Sequence, residues 1–246
     1  MVRPVLISGG FMVEETGVLI ATHSHGYVTP AFAQSLWKAG AALAAQGLKH
    51  YAMIFEDSLV DRGRDRAAAA FLASDFTHLL FIDADTEFEP DAILALLAAD
   101  KPLIAGAYRK KNERNEFAIA FLEDCHETLH QCRETGAIKI ARAGTGFMMI
   151  KREVFEAIAV AHPEIAYTDN SHRDGPRAMH AFFEHLVRDG LRWSEDFTFC
   201  ERWRALGGDV WLHPFIEFGH WGQACWRGSI TELLHGNEAM PTRSAA

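Results

Sequence analysis

Short apolar runs punctuate this chain at regular intervals, with amphipathic stretches between them. Runs at 18–22, 51–55, 79–82 and 103–106 are mainly apolar and bounded by polar residues or glycine. Runs of this length predict strands, those at 18–22 and 79–82 buried. Between the first two, Phe32, Leu36, Ala39 and Leu43 recur at helical spacing, with Pro30 ahead of them and Gly47 behind. That pattern predicts a helix with proline in its first turn and glycine at its stop. An alanine-rich stretch at 67–73 predicts a second helix. Ile93, Leu94, Leu96 and Leu97, within 90–99, give the apolar face of a third. Strand and helix therefore alternate, which predicts an α/β fold. Its centre is a Rossmann-like, mostly parallel sheet flanked by helices on both faces.

Beyond Tyr108 the pattern loosens. Arg109-Lys110-Lys111-Asn112-Glu113-Arg114-Asn115 is basic and polar. It predicts an exposed loop, either a solvated charge run or a cover over an anionic ligand. Strands are expected at 117–122 and 137–141. Gly144-Thr145-Gly146 then leads into Phe147-Met148-Met149-Ile150. Glycines ahead of a buried strand permit close backbone approach to a ligand, or mark a bulge. A helix is expected at 151–161, and a turn-rich, pocket-shaping segment at 167–192. Ser194 can cap a helix whose first turn carries Glu195 and Asp196. Phe199, Trp203 and Leu206 form its core face, and Gly207-Gly208 its stop. A last strand follows at 210–212, then His220 between Gly219 and Trp221. A short strand at 5–7 and a fraying tail from 231 complete the reading.

Of 246 residues, 49% are hydrophobic, enough for a packed core. With 24 basic against 33 acidic residues the net charge is −9, which argues against a broad nucleic-acid or anionic-membrane surface. No apolar run reaches the roughly 18 residues of a membrane span. The segment 1–10 lacks a signal-peptide core, and a cytoplasmic location is expected. Cys125, Cys132, Cys200 and Cys225 suggest no disulfide scaffold. Cys125, His126, His130 and Cys132 are zinc ligands in type, but no CxxC pair accompanies them.

The candidate chemistry centres on Leu79-Leu80-Phe81-Ile82-Asp83-Ala84-Asp85. Two carboxylates one residue apart at a strand's carboxyl end point the same way, in the region where open α/β sheets bind ligands. Their mutual repulsion calls for a cation, and carboxylate oxygens suit Mn²⁺ or Mg²⁺. Arg62, Arg64 and Arg66 precede the alanine-rich helix, against its dipole. They need negative partners, either Asp61 and Asp65 or a bound phosphate.

The ordered set of these features resembles the GT-A glycosyltransferases, close to the family-2-like group. It includes the strand ending in Thr22, the arginine segment, Asp83-Ala84-Asp85 as a DxD motif, Gly144-Thr145-Gly146-Phe147-Met148, Ser194-Glu195-Asp196-Phe197 and His220. The resemblance spans about 18–222, but leaves 109–140 and 162–192 unmatched. It implies a single GT-A domain, with a nucleotide-binding half at 18–108, an acceptor-binding half at 109–222 and a tail at 223–246. It implies a nucleotide-diphosphate sugar as donor, with UDP the habitual nucleotide and GDP open, and a hydroxyl acceptor. Thr22, His23, Glu56, Asp57, Arg64, Arg66, Asp83, Ala84, Gly144 and Gly146 would contact the donor, with Arg109 or Lys110 as further cations. Asp83, Asp85 and His220 would hold Mn²⁺ or Mg²⁺. Asp196, with Glu195 as the other candidate, would be the base of an inverting transfer.

Three other readings compete. A haloacid-dehalogenase-like phosphatase also places Asp-X-Asp after a buried strand, but glycine and threonine would be expected where Thr86-Glu87 stand. A nucleotidyltransferase would carry a triphosphate loop after its first strand, unlike His23-Ser24-His25-Gly26-Tyr27. An inactive nucleotide-sugar-binding protein would keep the fold without transfer.

Overall fold

The computed structural model describes residues 16–125, 129–170, 175, 177–188 and 190–235. The apolar runs become neighbours in one sheet. Its strands are β1 (Gly17–Ser24), β2 (Lys49–Glu56), β3 (His78–Ile82), β4 (Leu103–Gly106), β5 (Ile138–Ile140), β6 (Phe147–Lys151) and β7 (Val210–His213). Their order across the sheet is β2-β1-β3-β6-β4-β7-β5. Five run parallel, while β6 lies antiparallel between β3 and β4, and β5 closes one edge antiparallel to β7. The expected α/β architecture is present. The two reversed strands were not foreseeable, because a buried run looks alike in either direction.

Successive residues of each strand feed opposite faces. Leu19, Ala21, Leu79, Phe81, Met148 and Ile150 pack with α2 (Val60–Leu72), α4 (Arg152–Ala161) and α5 (Glu195–Ala205). Val18, Ile20, Leu80, Ile82, Phe147 and Met149 pack with α1 (Pro30–Ala45) and α3 (Asp91–Ala99). Thr29 caps α1, its hydroxyl accepting the Phe32 amide at 3.2 Å.

Connectivity places the site. The chain leaves β1 by way of α1 to pair β2 on one side, then crosses through α2 to pair β3 on the other. The loops after β1 and β3 diverge, opening a crevice at a topological switch point. A small antiparallel sheet, Thr86–Glu87 with Phe218–Trp221 and Cys225–Gly228, folds over this edge. It sets His220 opposite Thr86, and the Trp221 amide donates to the Asp85 carbonyl at 2.8 Å.

Several expectations need correction. Helix α2 starts at Val60, so all three arginines lie inside it. The segment 167–192 is not merely loop, since Ala166–Asp169 pairs with Arg177–His180 and Leu186–Arg188 with Leu191–Trp193. The strand expected at 117–122 shrinks to Ile119–Ala120. Part of the expected tail is strand, and Thr231–His235 is helical. The strand expected at 5–7, His126 and the end of the tail lie outside the described residues.

Candidate active site

At the carboxyl edge of β1 and β3 a cleft of about 340 Å³ is lined by His23, Ser24, Arg64, Asp83, Asp85 and His220, with Lys111 at its rim. Asp85 faces a histidine far away in sequence: its Oδ1 lies 3.5 Å from His220 Nε2. The expectation that one cation could reach both groups therefore meets a favourable distance. His220 Nδ1 contacts the Arg109 carbonyl at 2.7 Å. A carbonyl only accepts, so Nδ1 carries a proton, and Nε2 faces Asp85, able to donate to the carboxylate when protonated or to offer a lone pair to a cation when not. The other Asp85 oxygen is ion-paired with the Lys111 ammonium. Burial works to raise the Asp85 pKa, but the hydrogen bonds and charges of His220 and Lys111 outweigh it and hold the group below its ordinary value.

Asp83 behaves differently. Its amide donates to the Gly146 carbonyl at 3.0 Å, and its Oδ1 accepts from Arg64 at 3.3 Å. Arg64 is buried, and its second nitrogen is ion-paired with Glu195. Burial alone would lower the guanidinium pKa, but Asp83 and Glu195 raise it instead. Glu195 Oε2 also meets His185 Nε2 at 3.2 Å, and His185 Nδ1 lies 3.8 Å from Asp61. Arg64 thus engages Oδ1 of Asp83, whose side chain is 32% exposed, as that of Asp85 is. Among the described residues no three His, Cys, Asp or Glu side chains converge to hold a metal ion.

Asp196 lies beside this network, near enough for its charge to act on Arg64 and Tyr108. Both hydrogen bonds it accepts among the described residues fall on Oδ1, from the Ser194 hydroxyl and from the Phe197 amide at 2.8 Å. Ser194 stands at the cap position but donates to Asp196 instead of capping. Burial, then the charge of Glu195, raises the Asp196 pKa. Asp196 does not line the cleft. A second cavity of about 480 Å³ lies across the first turns of α2, lined by Asp61, Asp65, Tyr167, Phe183 and Glu184 among others. Phe183 stacks on Phe199 with ring centroids 4.6 Å apart, tying this wall to α5.

Tyr108, just past β4, was not singled out by the sequence reading. It is buried at the centre of the site, where its hydroxyl accepts the Gly146 amide at 3.3 Å. Its ring meets His220 edge-on at 5.0 Å. Burial, then the charges of Asp83 and Asp196, pushes its pKa well above the ordinary value. A Cβ at Gly144 would come within 2.5 Å of the Tyr108 hydroxyl, and one at Gly146 within 2.6 Å of its ring and 2.7 Å of Asp83 Oδ2. The close approach that these glycines permit includes that of Tyr108 and Asp83. The glycine pair was the available signal that something bulky packs there.

Other expected donor contacts separate into two groups. His23 lines the cleft, with Nε2 2.9 Å from the Asp57 carbonyl, and burial lowers its pKa. Ala84 lines it as well, and its carbonyl accepts the Thr29 amide at 2.9 Å. Glu56 is exposed at the end of β2. The Thr22 hydroxyl is buried without a hydrogen-bond partner among the described residues. Asp57 and Arg66 line a separate cavity of about 420 Å³ together with Glu56. The Asp57 carboxylate is buried, held by Arg62 at 2.6 Å and Arg66 at 2.7 Å, and Arg66 also binds Asp169 at 3.1 Å. Opposite charges inside the fold satisfy each other, so these two form an internal ion-pair cluster. Arg109 donates to the Arg114 carbonyl and Lys110 pairs with Glu116 at 3.7 Å, while Lys111, from the same basic run, lines the cleft beside Arg64.

No family model matches the chain, and no curated protein matches it. Solved structures do resemble it. A protein from STIV is 17% identical over 83% of this chain and 85% of that one, with a TM-score of 0.49. A Drosophila β-1,4-galactosyltransferase 7 mutant, in complex with manganese, UDP-Gal and xylobiose, is 14% identical over 82% of this chain and 66% of that one, at 0.43. An inositol-1-phosphate CTP transferase from T. maritima is 10% identical over 85% and 89%, at 0.38. These are loose likenesses of backbone, and the chemistry rests on this chain's own residues. Among the described residues no helix is long and apolar enough to cross a membrane.

Proposed function

We propose that this chain is a metal-dependent glycosyltransferase of GT-A type, moving a sugar from a nucleotide-diphosphate donor to an acceptor hydroxyl. The observation that carries this reading is the convergence of Asp85 Oδ1 and His220 Nε2, 3.5 Å apart, at the carboxyl edge of the sheet. With bonds of roughly 2.1 Å, two ligands of one cation stand about 3–3.5 Å apart. The donor set, one carboxylate and one imidazole able to offer its Nε2 lone pair, fits Mn²⁺ or Mg²⁺ and leaves coordination positions for diphosphate oxygens. Bound there, the metal supplies Lewis-acid neutralisation of the leaving diphosphate.

The protein's own groups do the rest. The nucleotide lies in the crevice between His23 and Asp83, within the half formed by 18–108. Arg64 fixes Asp83 and Glu195 and so keeps the floor of the site rigid. Glu195 is engaged by Arg64 and His185, which leaves Asp196 as the base. Burial, then the charge of Glu195, raises its pKa, which makes its carboxylate a stronger base. The acceptor binds in the half formed by 109–222, on the side of α5 that carries Asp196. Asp196 takes the hydroxyl proton, the oxygen bonds to the anomeric carbon, and the diphosphate leaves from the opposite face, inverting the centre.

The test is a thermal-shift screen of UDP- and GDP-sugars with and without Mn²⁺, since a bound donor raises the melting temperature by mass action. Asp196→Asn is expected to retain donor-dependent stabilisation while transfer falls by about 10²–10⁴-fold. Transfer at the wild-type rate would remove Asp196 from this role. Release of inorganic diphosphate from a nucleoside triphosphate would point to nucleotidyl transfer instead.

A further inference from the structure

Lys111 is the residue the reading above leaves without a task. It lies just past the last paired rung of a hairpin-like loop, where Arg109 bridges Phe117 and the Lys110 amide donates to the Glu116 carbonyl at 2.8 Å. Its aliphatic stem passes Gly222, where an added Cβ would lie 3.2 Å from Lys111 Cδ. Its ammonium is ion-paired with Asp85 Oδ2, the oxygen turned away from His220. Both side chains are about a third exposed, at 33% and 32%. An ammonium on one carboxylate oxygen neutralises the group and repels a dication approaching the other.

The neighbouring cations are committed elsewhere. Arg64 holds Asp83 and Glu195, and Arg62 and Arg66 hold Asp57. Lys111 reaches the cleft on a long unbranched stem at a loop tip, so it can exchange partners with little rearrangement. A diphosphate entering the cleft brings negative charge to within reach of this ammonium.

We propose that Lys111 is a built-in counter-cation of Asp85, competing with the divalent metal in the free protein and passing to the donor diphosphate once the metal has taken its place. The inference rests on the metal-dependent reading, yet it predicts effects of opposite sign on metal and nucleotide that the reading alone does not. It also makes loading ordered, because metal entry frees the ammonium that then binds the diphosphate.

The experiment compares wild type, Lys111→Met, which keeps the stem and removes the charge, and Lys38→Met, which removes an equal charge from an exposed site on α1. Mn²⁺ alone is titrated, with free ion measured by electron paramagnetic resonance. UDP and GDP are then titrated calorimetrically at saturating Mn²⁺. Lys111→Met is expected to bind Mn²⁺ about three- to tenfold more tightly than wild type, and the nucleotide diphosphate about tenfold more weakly. Lys38→Met is expected to change neither. Wild-type Mn²⁺ affinity in Lys111→Met, or undiminished nucleotide affinity, overturns the proposal while leaving the metal-dependent reading intact. A wild-type protein that takes up no Mn²⁺ at all removes that reading, and this inference with it.

Discussion

Asp83 and Asp85 leave the same strand end one residue apart, yet they belong to different environments. Asp83 is locked by a buried arginine that also holds Glu195. Asp85 faces a histidine and a partly exposed lysine at the cleft rim. The difference teaches that spacing alone does not assign a carboxylate to a guest. What assigns it is whether its partner can leave. A buried guanidinium cannot, whereas a lysine on a loop tip can.

The contrast can be broken most forcefully at Arg64. Arg64→Met leaves Asp83 and Glu195 without their shared cation, and the cost is expected to be about 3–5 kcal/mol in urea denaturation. A loss under about 1 kcal/mol would mean that the cluster is not structural.

A third carboxylate sharpens the comparison. Asp65, buried in α2, accepts the Phe183 amide at 3.0 Å, and burial pushes its pKa up to about 8. Its unfolded value is about 3.9. Between those values the folded state holds a proton that the unfolded state has lost, so stability falls as pH rises from about 4 to 8. Asp65→Asn is expected to remove that slope, at most about 1.4 kcal/mol per pH unit, in denaturation curves at pH 5, 6 and 7. An unchanged slope would show that Asp65 ionises normally.

A smaller effect is expected at Gly146→Ala, where the new methyl meets the Tyr108 ring and Asp83. Overpacking of this kind costs about 1–3 kcal/mol. The smallest belongs to Asp85→Asn, whose ion pair is partly solvated. Its stability cost is expected below about 1 kcal/mol, while Mn²⁺ uptake, followed by electron paramagnetic resonance, drops about tenfold or more. A large stability loss in this variant would place Asp85 with Asp83 as a structural group.

Much of the fold was legible because buried strands and amphipathic helices write themselves as runs and periods. Val18 to Ile20 and Leu79 to Ile82 declare strands by composition alone. The reversal of β6 was not legible, since Phe147 to Ile150 would read the same in a parallel strand. Within the site, the roles of Asp83, Asp85 and His220 depend on partners brought by long-range contacts. Arg64 and Arg66 lie two residues apart on one helix, yet one reaches the cleft and the other turns to Asp57 and Asp169. Lys111 was passed over for Arg109 and Lys110 because the twist of a hairpin tip has no signature in a run of basic residues.

The small sheet that joins Thr86–Glu87 to Phe218–Trp221 and Cys225–Gly228 has a consequence for how the molecule comes into being. A ribosome releases β1 to β4 long before it releases His220, so the growing chain can build most of its sheet while half of the Asp85–His220 pair is still missing. A chain interrupted before residue 218 would carry Asp85 without the histidine that faces it.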